Sequence, residues 1–314
     1  MSEGTSEVLV VERLQKSFGT VKAVEEISFR VRAGEVFTII GPNGAGKTTT
    51  LEMIEGLQRP DAGSITILGK AWDQQRHDIK QRIGVQPQTS ALFDLLTVEE
   101  NLRTFASFYK RSLPVEGILE DVNLTDHRNK RVKALSGGQK QRLAIGLAMI
   151  NDPDLIFLDE PTTGLDPQAR RNIWDIILKL RKSGKTTVLT THYMEEAHKL
   201  SDRVCIVDQG KVVALDTPQA LIAQLTKERE IRLLFADGDE AASDSERFAL
   251  NDEAVTRVKR TGNQLTVWST QPEATLYHLF GFTSERAFVI DQVSIREMSL
   301  EDVFIAFTGK AWRD

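Results

Sequence analysis

Gly41-Pro42-Asn43-Gly44-Ala45-Gly46-Lys47-Thr48, followed by Thr49, has the spacing Gly-x-x-x-x-Gly-Lys-Thr. The glycines let successive backbone N–H groups turn inward, which makes a concave cradle for phosphate oxygens. Lys47 stands where it could reach β- and γ-phosphates, and the Thr48 hydroxyl could ligate Mg2+. The apolar run Val36 to Ile40 precedes the cradle and a helical pattern follows it. That placement puts the cradle between a buried strand and the positive end of a helix, where anions are stabilised. A plain Gly-rich turn is the ordinary alternative, and the strand-loop-helix context disfavours it.

Two further segments carry chemistry of the same kind. Leu155-Ile156-Phe157-Leu158 is an apolar strand ending in the paired carboxylates Asp159 and Glu160. At a strand's carboxyl edge they would lie in the crevice where open α/β sheets bind ligands. Asp159 would hold Mg2+ and Glu160 would orient an attacking water. Alone that signal is weak; beside a phosphate cradle it is strong. Leu135-Ser136-Gly137-Gly138-Gln139 satisfies the Ser-x-x-Gln capping box and opens a helix. Its free N–H groups and hydroxyl could converge on an anion, or it could be no more than a capped helix start.

The elements that must position these residues read as α/β with a largely parallel sheet from Val8 to about Leu225. Strands are expected at Val36–Ile40, Ser64–Leu68, Leu155–Leu158, Thr186–Thr190 and Val204–Val207. Between them lies a helical stretch, about Thr97 to Ile150. Thr97 and Glu100 form a capping box, and Leu102, Phe105, Ala106 and Tyr109 share one face. Beyond Leu225 the character changes. Asp237 to Glu246 is acidic and Ser/Ala-rich and reads as a solvated loop. Strands are expected at Ile231–Phe235, Ala254–Arg260, Gln264–Thr270 and Phe288–Ile295, with helices at Glu273–Phe280 and Leu300–Phe307. Residues 227–314 thus form a small α+β accessory domain behind a domain spanning 1–226.

Composition bounds the partners. Forty basic against forty-five acidic residues leave a net charge of −5 over 314 residues, no excess with which to neutralise nucleic-acid phosphates. No apolar run approaches the roughly 18 residues that cross a bilayer, and Met1 to Glu7 lacks a basic or apolar leader. The expected location is the cytoplasm. The one cysteine, Cys205, allows no intrachain disulfide and reads as a small buried hydrophobe. The four tryptophans are scattered, and the histidines other than His192 show no metal-ligand spacing.

The cradle, the acidic strand and the Ser136 segment in this order resemble the ATP-binding subunit of ABC transporters. Further residues match that family's pattern. Phe18 corresponds to the aromatic that stacks on adenine, and Gln88 to the glutamine that contacts Mg2+ or water and senses the membrane domain. Asp166 corresponds to the loop aspartate between the acidic strand and the next helix, and His192 to the switch histidine near the γ-phosphate. Phe18, Asp166 and His192 also have plain readings: core aromatic, helix N-cap and strand-end histidine. The resemblance covers about Val8 to Pro218. It implies a P-loop ABC ATPase core with a helical subdomain at about 90–152, ATP and Mg2+ at the site, and catalysis by Glu160, His192 and Gln88. It also implies a head-to-tail dimer in which Ser136, Gly137, Gly138 and Gln139 of one copy complete the ATP site of the other, whether with itself or with a similar subunit. An integral membrane permease would be the second partner, holding the chain on the cytoplasmic face of the membrane.

Ser299 to Gly309 resembles the closing motif of the daunorubicin-resistance-type branch, whose ATPases serve type-2 exporters. As physics it is a helix capped by Ser299, with Asp302 three residues on and Leu300, Val303, Phe304 and Phe307 directed inward. Two other classes compete with an exporter motor. One is a non-transport ABC ATPase in translation or DNA repair. The single ATPase unit, and only about ninety residues between cradle and Ser136, disfavour it. The other, a GTPase or small-molecule kinase, leaves the Ser136 motif unexplained.

Overall fold

The computed structural model describes residues 6–89, 92–225, 228–236, 238–296 and 298–309. It divides into two compact units, Met1–Leu221 with Phe307–Asp314, and Ile222–Ala306.

The first unit begins with β1 (Glu7–Phe18), β2 (Val21–Arg32), β3 (Val36–Ile40), α1 (Lys47–Glu55), β4 (Ala62–Ile67), β5 (Lys70–Ala71), α2 (Arg76–Lys80) and β6 (Ile83–Gln86). Three helices follow, α3 (Val98–Ala106), α4 (Val115–Asp121) and α5 (Gly137–Met149). The unit then runs through β7 (Leu155–Asp159), α6 (Pro167–Lys182), β8 (Thr186–Thr191), α7 (Met194–Leu200), β9 (Arg203–Asp208), β10 (Lys211–Asp216) and into α8 (Pro218–Ala223).

Two sheets organise it. A six-stranded sheet has the order β10-β9-β3-β8-β7-β6, parallel except for the β9–β10 hairpin. A four-stranded antiparallel sheet has the order β2-β1-β4-β5. The parallel sheet is covered on both faces, so its central strands β3, β7 and β8 are buried at every position instead of alternating. β3 and β7 are buried throughout. Their side chains are dealt alternately to two cores. Phe37, Phe157 and Val188 pack with Leu9, Ile27 and Met53 under the antiparallel sheet, and Phe29 stacks on Phe37 at 5.1 Å between ring centres. Ile156, Leu158 and Leu189 pack on the other side with Leu102, Ile145 and Ile177 of the helices.

Several expectations need correction. Ser64 to Leu68 is not a buried strand of the parallel sheet. It belongs to β4, which pairs antiparallel with β1, and only Ile65 and Ile67 are buried there. The stretch from Thr97 to Ile150 is three helices with 3-10 turns between them. Tyr109 lies past the end of α3, although it packs on the same core as Leu102, Phe105 and Ala106.

The second unit contains β11 (Arg229–Phe235), α9 (Asp239–Ala249), β12 (Val255–Thr261), β13 (Gln264–Ser269), α10 (Pro272–Glu285), β14 (Ile290–Arg296) and most of α11 (Leu300–Thr308). Its antiparallel sheet has the order β12-β13-β11-β14. The expected acidic loop is instead α9, apart from Asp237, which lies outside the described residues. Ala241, Ala242, Ser245 and Ala249 form a narrow buried stripe of small residues, with Asp239 and Glu240 in the first turn. Alanine's helix propensity and the favourable placement of acids at a helix N-terminus outweigh the composition that suggested a loop. In α11 the Ser299 hydroxyl accepts from Asp302 N–H at 3.4 Å and Asp302 accepts from Ser299 N–H at 2.9 Å. Leu300, Val303 and Phe304 are buried as expected, but Phe307 is half exposed. No helix among the described residues is long and apolar enough to cross a membrane.

Candidate active site

The parallel register builds the site. Ile40 lies opposite Thr191 and Asp159 opposite Thr190, so β3, β7 and β8 end at one level. The Gly41 loop, the Asp159-Glu160 pair and His192 therefore leave the same edge of the sheet, the edge where α/β folds bind ligands.

The cradle's geometry depends on glycine at two positions. Gly46 has φ +99° and a Cβ there would lie 2.4 Å from the Ala23 carbonyl oxygen; at Gly41 it would lie 2.2 Å from that of Val207. Ala45 is buried, while Asn43 and Gly44 are exposed and Pro42 half-buried. Lys47 opens α1 and is buried. Its ammonium donates to the carbonyls of Gly41 at 2.8 Å and Pro42 at 3.2 Å, and lies 3.6 Å from Glu160 Oε1. Burial lowers its pKa from the usual lysine value, with Glu160 and Asp159 opposing that shift. Thr48 and Thr49 are half-buried on the next positions of the helix.

Asp159 is buried at the end of β7. Burial raises its pKa, against hydrogen bonds from the Thr190 and Thr48 hydroxyls and the charge of Lys47. Glu160 has a left-handed backbone, φ +46°, unusual for a residue with a Cβ. Its N–H donates to the Thr190 carbonyl at 3.2 Å and hydroxyl at 3.0 Å. Its Oε2 accepts from Thr163 Oγ1 at 2.9 Å and lies 3.2 Å from His192 Nδ1, close but without the alignment of a hydrogen bond.

Lys47, Thr48, Asp159, Glu160 and His192 are thus brought together. Among the described residues no hydrogen bond or ion pair joins Phe18, Gln88, Ser136 or Asp166 to them. Phe18 is exposed at the end of β1, with Lys16 Nζ 5.6 Å from its ring centre. Gln88 is exposed two residues beyond β6. Ser136 is an exposed N-cap with a complete capping box, its hydroxyl accepting from Gln139 N–H at 3.3 Å and Gln139 Oε1 from Ser136 N–H at 3.0 Å. Gln139 also meets His127 Nε2 at 2.7 Å. Gly137 is exposed, and the bare Gly138 lets Ala169 of α6 approach; a Cβ would lie 2.9 Å from it. Asp166 caps α6, accepting from Gln168 N–H at 3.0 Å and Ala169 N–H at 2.9 Å.

Three residues at the site went unassigned from sequence. The Thr190 hydroxyl donates to the Asp159 carboxylate and accepts from the Glu160 backbone N–H, Thr163 Oγ1 donates to the Glu160 carboxylate, and buried Gln86 donates from Nε2 to the Asp159 carbonyl at 3.4 Å. Gln86 had a signal, a carboxamide ending an otherwise apolar strand. The threonines had none, since threonine is ordinary in strands and turns.

Thr48 and Asp159 offer hard oxygens already within hydrogen-bonding reach of each other, the donor type Mg2+ takes. Among the described residues no group of three or more His, Cys, Asp and Glu could hold a metal. Mg2+ is commonly held by one or two protein oxygens together with substrate phosphates.

Comparison with known proteins agrees with this geometry. A family model described as "ABC transporter" matches residues 24–163. The Nod factor export ATP-binding protein I of Ralstonia nicotianae is 39% identical over 318 residues, spanning 99% of this chain and 97% of that protein. Its namesake from a Rhizobium species is 39% identical over 302 residues, 95% of each. Among solved structures, a component of an ABC transporter complex of Clostridium perfringens superposes with TM-score 0.63 at 28% identity, covering 69% of this chain and 91% of its own. A dimeric ATP-binding cassette in a post-hydrolysis state with ADP and Pi gives 0.61 at 28%, covering 67% and 98%. The chain belongs to the ABC transporter family of ATP-binding proteins, which are ATPases coupled to transport.

Proposed function

We propose that this chain is the ATP-hydrolysing motor of an ABC exporter, working from the cytoplasmic face of the membrane through a separate permease. The observation that carries the reading is the cluster of Lys47, Thr48, Asp159, Glu160 and His192 at one sheet edge. The export named for its relatives supports the direction of transport. Residues 41–49 cradle the phosphates and Lys47 neutralises them. Thr48, Asp159 and Gln88 would hold Mg2+, which would supply a positive charge for the phosphate oxygens. Glu160 orients water toward the γ-phosphorus and accepts its proton as ADP leaves, with His192 fixing the carboxylate on its far side. Phe18 stacks on the base. Ser136 to Gln139 of a second copy, with Asp166, close the site in a head-to-tail dimer. The exposure of Phe18, Gln88, Ser136 and Asp166 suits residues that meet a ligand or a partner.

In this reading residues 1–226 form the ATPase domain, with the helical subdomain at about 90–152, and residues 227–314 form the accessory domain. The capped segment Ser299 to Gly309 supports assignment to the daunorubicin-resistance-type branch. Glu160→Gln tests the motor. ATP binding should persist while turnover falls about 10²- to 10⁴-fold, and ATP should hold the variant as a dimer in sedimentation. Unchanged turnover would remove Glu160 from the mechanism.

A further inference from the structure

Glu196 lies in the first turn of α7 and has no exposed surface. Its Oε1 accepts from Trp174 Nε1 of α6 at 2.8 Å. The hydroxyls of Thr162 and Thr191 stand beside the same carboxyl group and favour its charged form, while its Oε2 and Thr162 Oγ1 make no hydrogen bond. Thr162 lies between Glu160 and Asp166, and Thr191 immediately precedes His192. Thr191 Oγ1 also accepts from Tyr193 N–H at 3.0 Å, closing the turn that carries His192. The Tyr193 ring then packs on the His192 ring at 4.1 Å, and the Arg170 guanidinium lies 4.8 Å from the Tyr193 ring centre.

A buried carboxyl group is an expensive way to fill space, because an apolar side chain of like volume does it without desolvation. What Glu196 does that a leucine could not is accept a hydrogen bond from Trp174 of α6 while setting a carboxyl group beside Thr162 and Thr191. We propose that Glu196 is a positioning residue for ATP hydrolysis: bonded to Trp174 of α6 and lying beside Thr162 and Thr191, it fixes the start of α7 and the turn Thr191–Tyr193, and so holds His192 beside Glu160. It touches no reacting atom and acts through His192. Burial pushes its carboxyl pKa upward, and glutamine keeps the shape and the oxygen that accepts from Trp174.

This inference rests on the role given to His192 above, and the test separates the two. The full chain is assayed for steady-state ATP hydrolysis as wild type, Glu196→Ala, Glu196→Gln, Trp174→Phe and His192→Ala, with nucleotide affinity and thermal unfolding measured on each. Glu196→Ala should lower kcat at least about tenfold with KM for ATP within about threefold, the pattern of lost transition-state positioning. Glu196→Gln should restore kcat to within about threefold of wild type. A residue that only supported the fold would change melting temperature and leave kcat per folded molecule alone. Should Glu196→Ala not fold, Trp174→Phe removes a single hydrogen bond and should still lower kcat without raising KM. Normal kcat in a folded Glu196→Ala, or in Trp174→Phe when the alanine variant is lost, overturns the proposal, as does a loss that Gln fails to restore. If those kcat values are normal while His192→Ala is inactive, this inference alone fails. If His192→Ala turns over normally, the assignment of the switch histidine fails first.

Discussion

Asp159 and Glu160 are neighbours in sequence, and in an extended strand neighbours point to opposite faces. The left-handed φ of Glu160 breaks that alternation and leaves its carboxylate 3.6 Å from Lys47 while Asp159 meets Thr48 and Thr190. The strained backbone is held by two bonds to Thr190, so Thr190→Val should lower turnover as well as stability, read by ATPase rate and thermal melt. Gly46→Ala places a Cβ against the Ala23 carbonyl at a φ that alanine resists. ATP affinity should fall at least about tenfold by equilibrium binding if the cradle opens by even ~1.4 kcal/mol. Glu55, at the end of α1, is buried with Oε1 unpartnered, and desolvation raises its pKa from 4.5 to about 8. Between those values the folded chain keeps a proton that the unfolded chain releases, so stability declines as pH rises. Glu55→Gln removes that slope. Its stability relative to wild type should grow from pH 5 to pH 8 by up to about 1.4 kcal/mol per unit in denaturant titrations.

At the scale of elements, what could be read in advance followed local chemistry. Both capping boxes stand as written, Thr97 with Glu100 and Ser136 with Gln139, because a cap involves only four consecutive residues. Thr97→Ala should cost about 1 kcal/mol in thermal unfolding without changing ATP affinity. The β-rich runs of β3, β7 and β8 were legible for the same reason. Strand partners were not. Ser64–Leu68 resembles any half-buried strand, and its antiparallel pairing with β1 is decided by residues some fifty positions away. α9 was misread because its buried stripe is alanine and serine, too small to stand out among acids. Within the site, motif residues were legible because phosphate chemistry restricts their types. Thr190, Thr163 and Glu196 act by three-dimensional neighbourhood, which no spacing rule encodes.

Across the molecule, the two units carry different kinds of information. The first holds a site whose residues are fixed by chemistry, and the second is a four-stranded sheet with helices whose described residues contain no comparable cluster. The proposed composite dimer would make activity depend on concentration: specific ATPase activity of the full chain should rise with protein concentration until dimers dominate, and a flat profile would contradict the head-to-tail assembly. The central strands deal side chains to two cores at once, Phe157 and Val188 to one, Leu158 and Leu189 to the other. Those strands are a wall common to both halves of the first unit, and the candidate catalytic groups stand on its rim. Neither core can then melt by itself and leave the rim in place. On heating, hydrogen exchange in β3, β7 and β8 should be the last protection lost, and hydrolysis should end with it in one cooperative step.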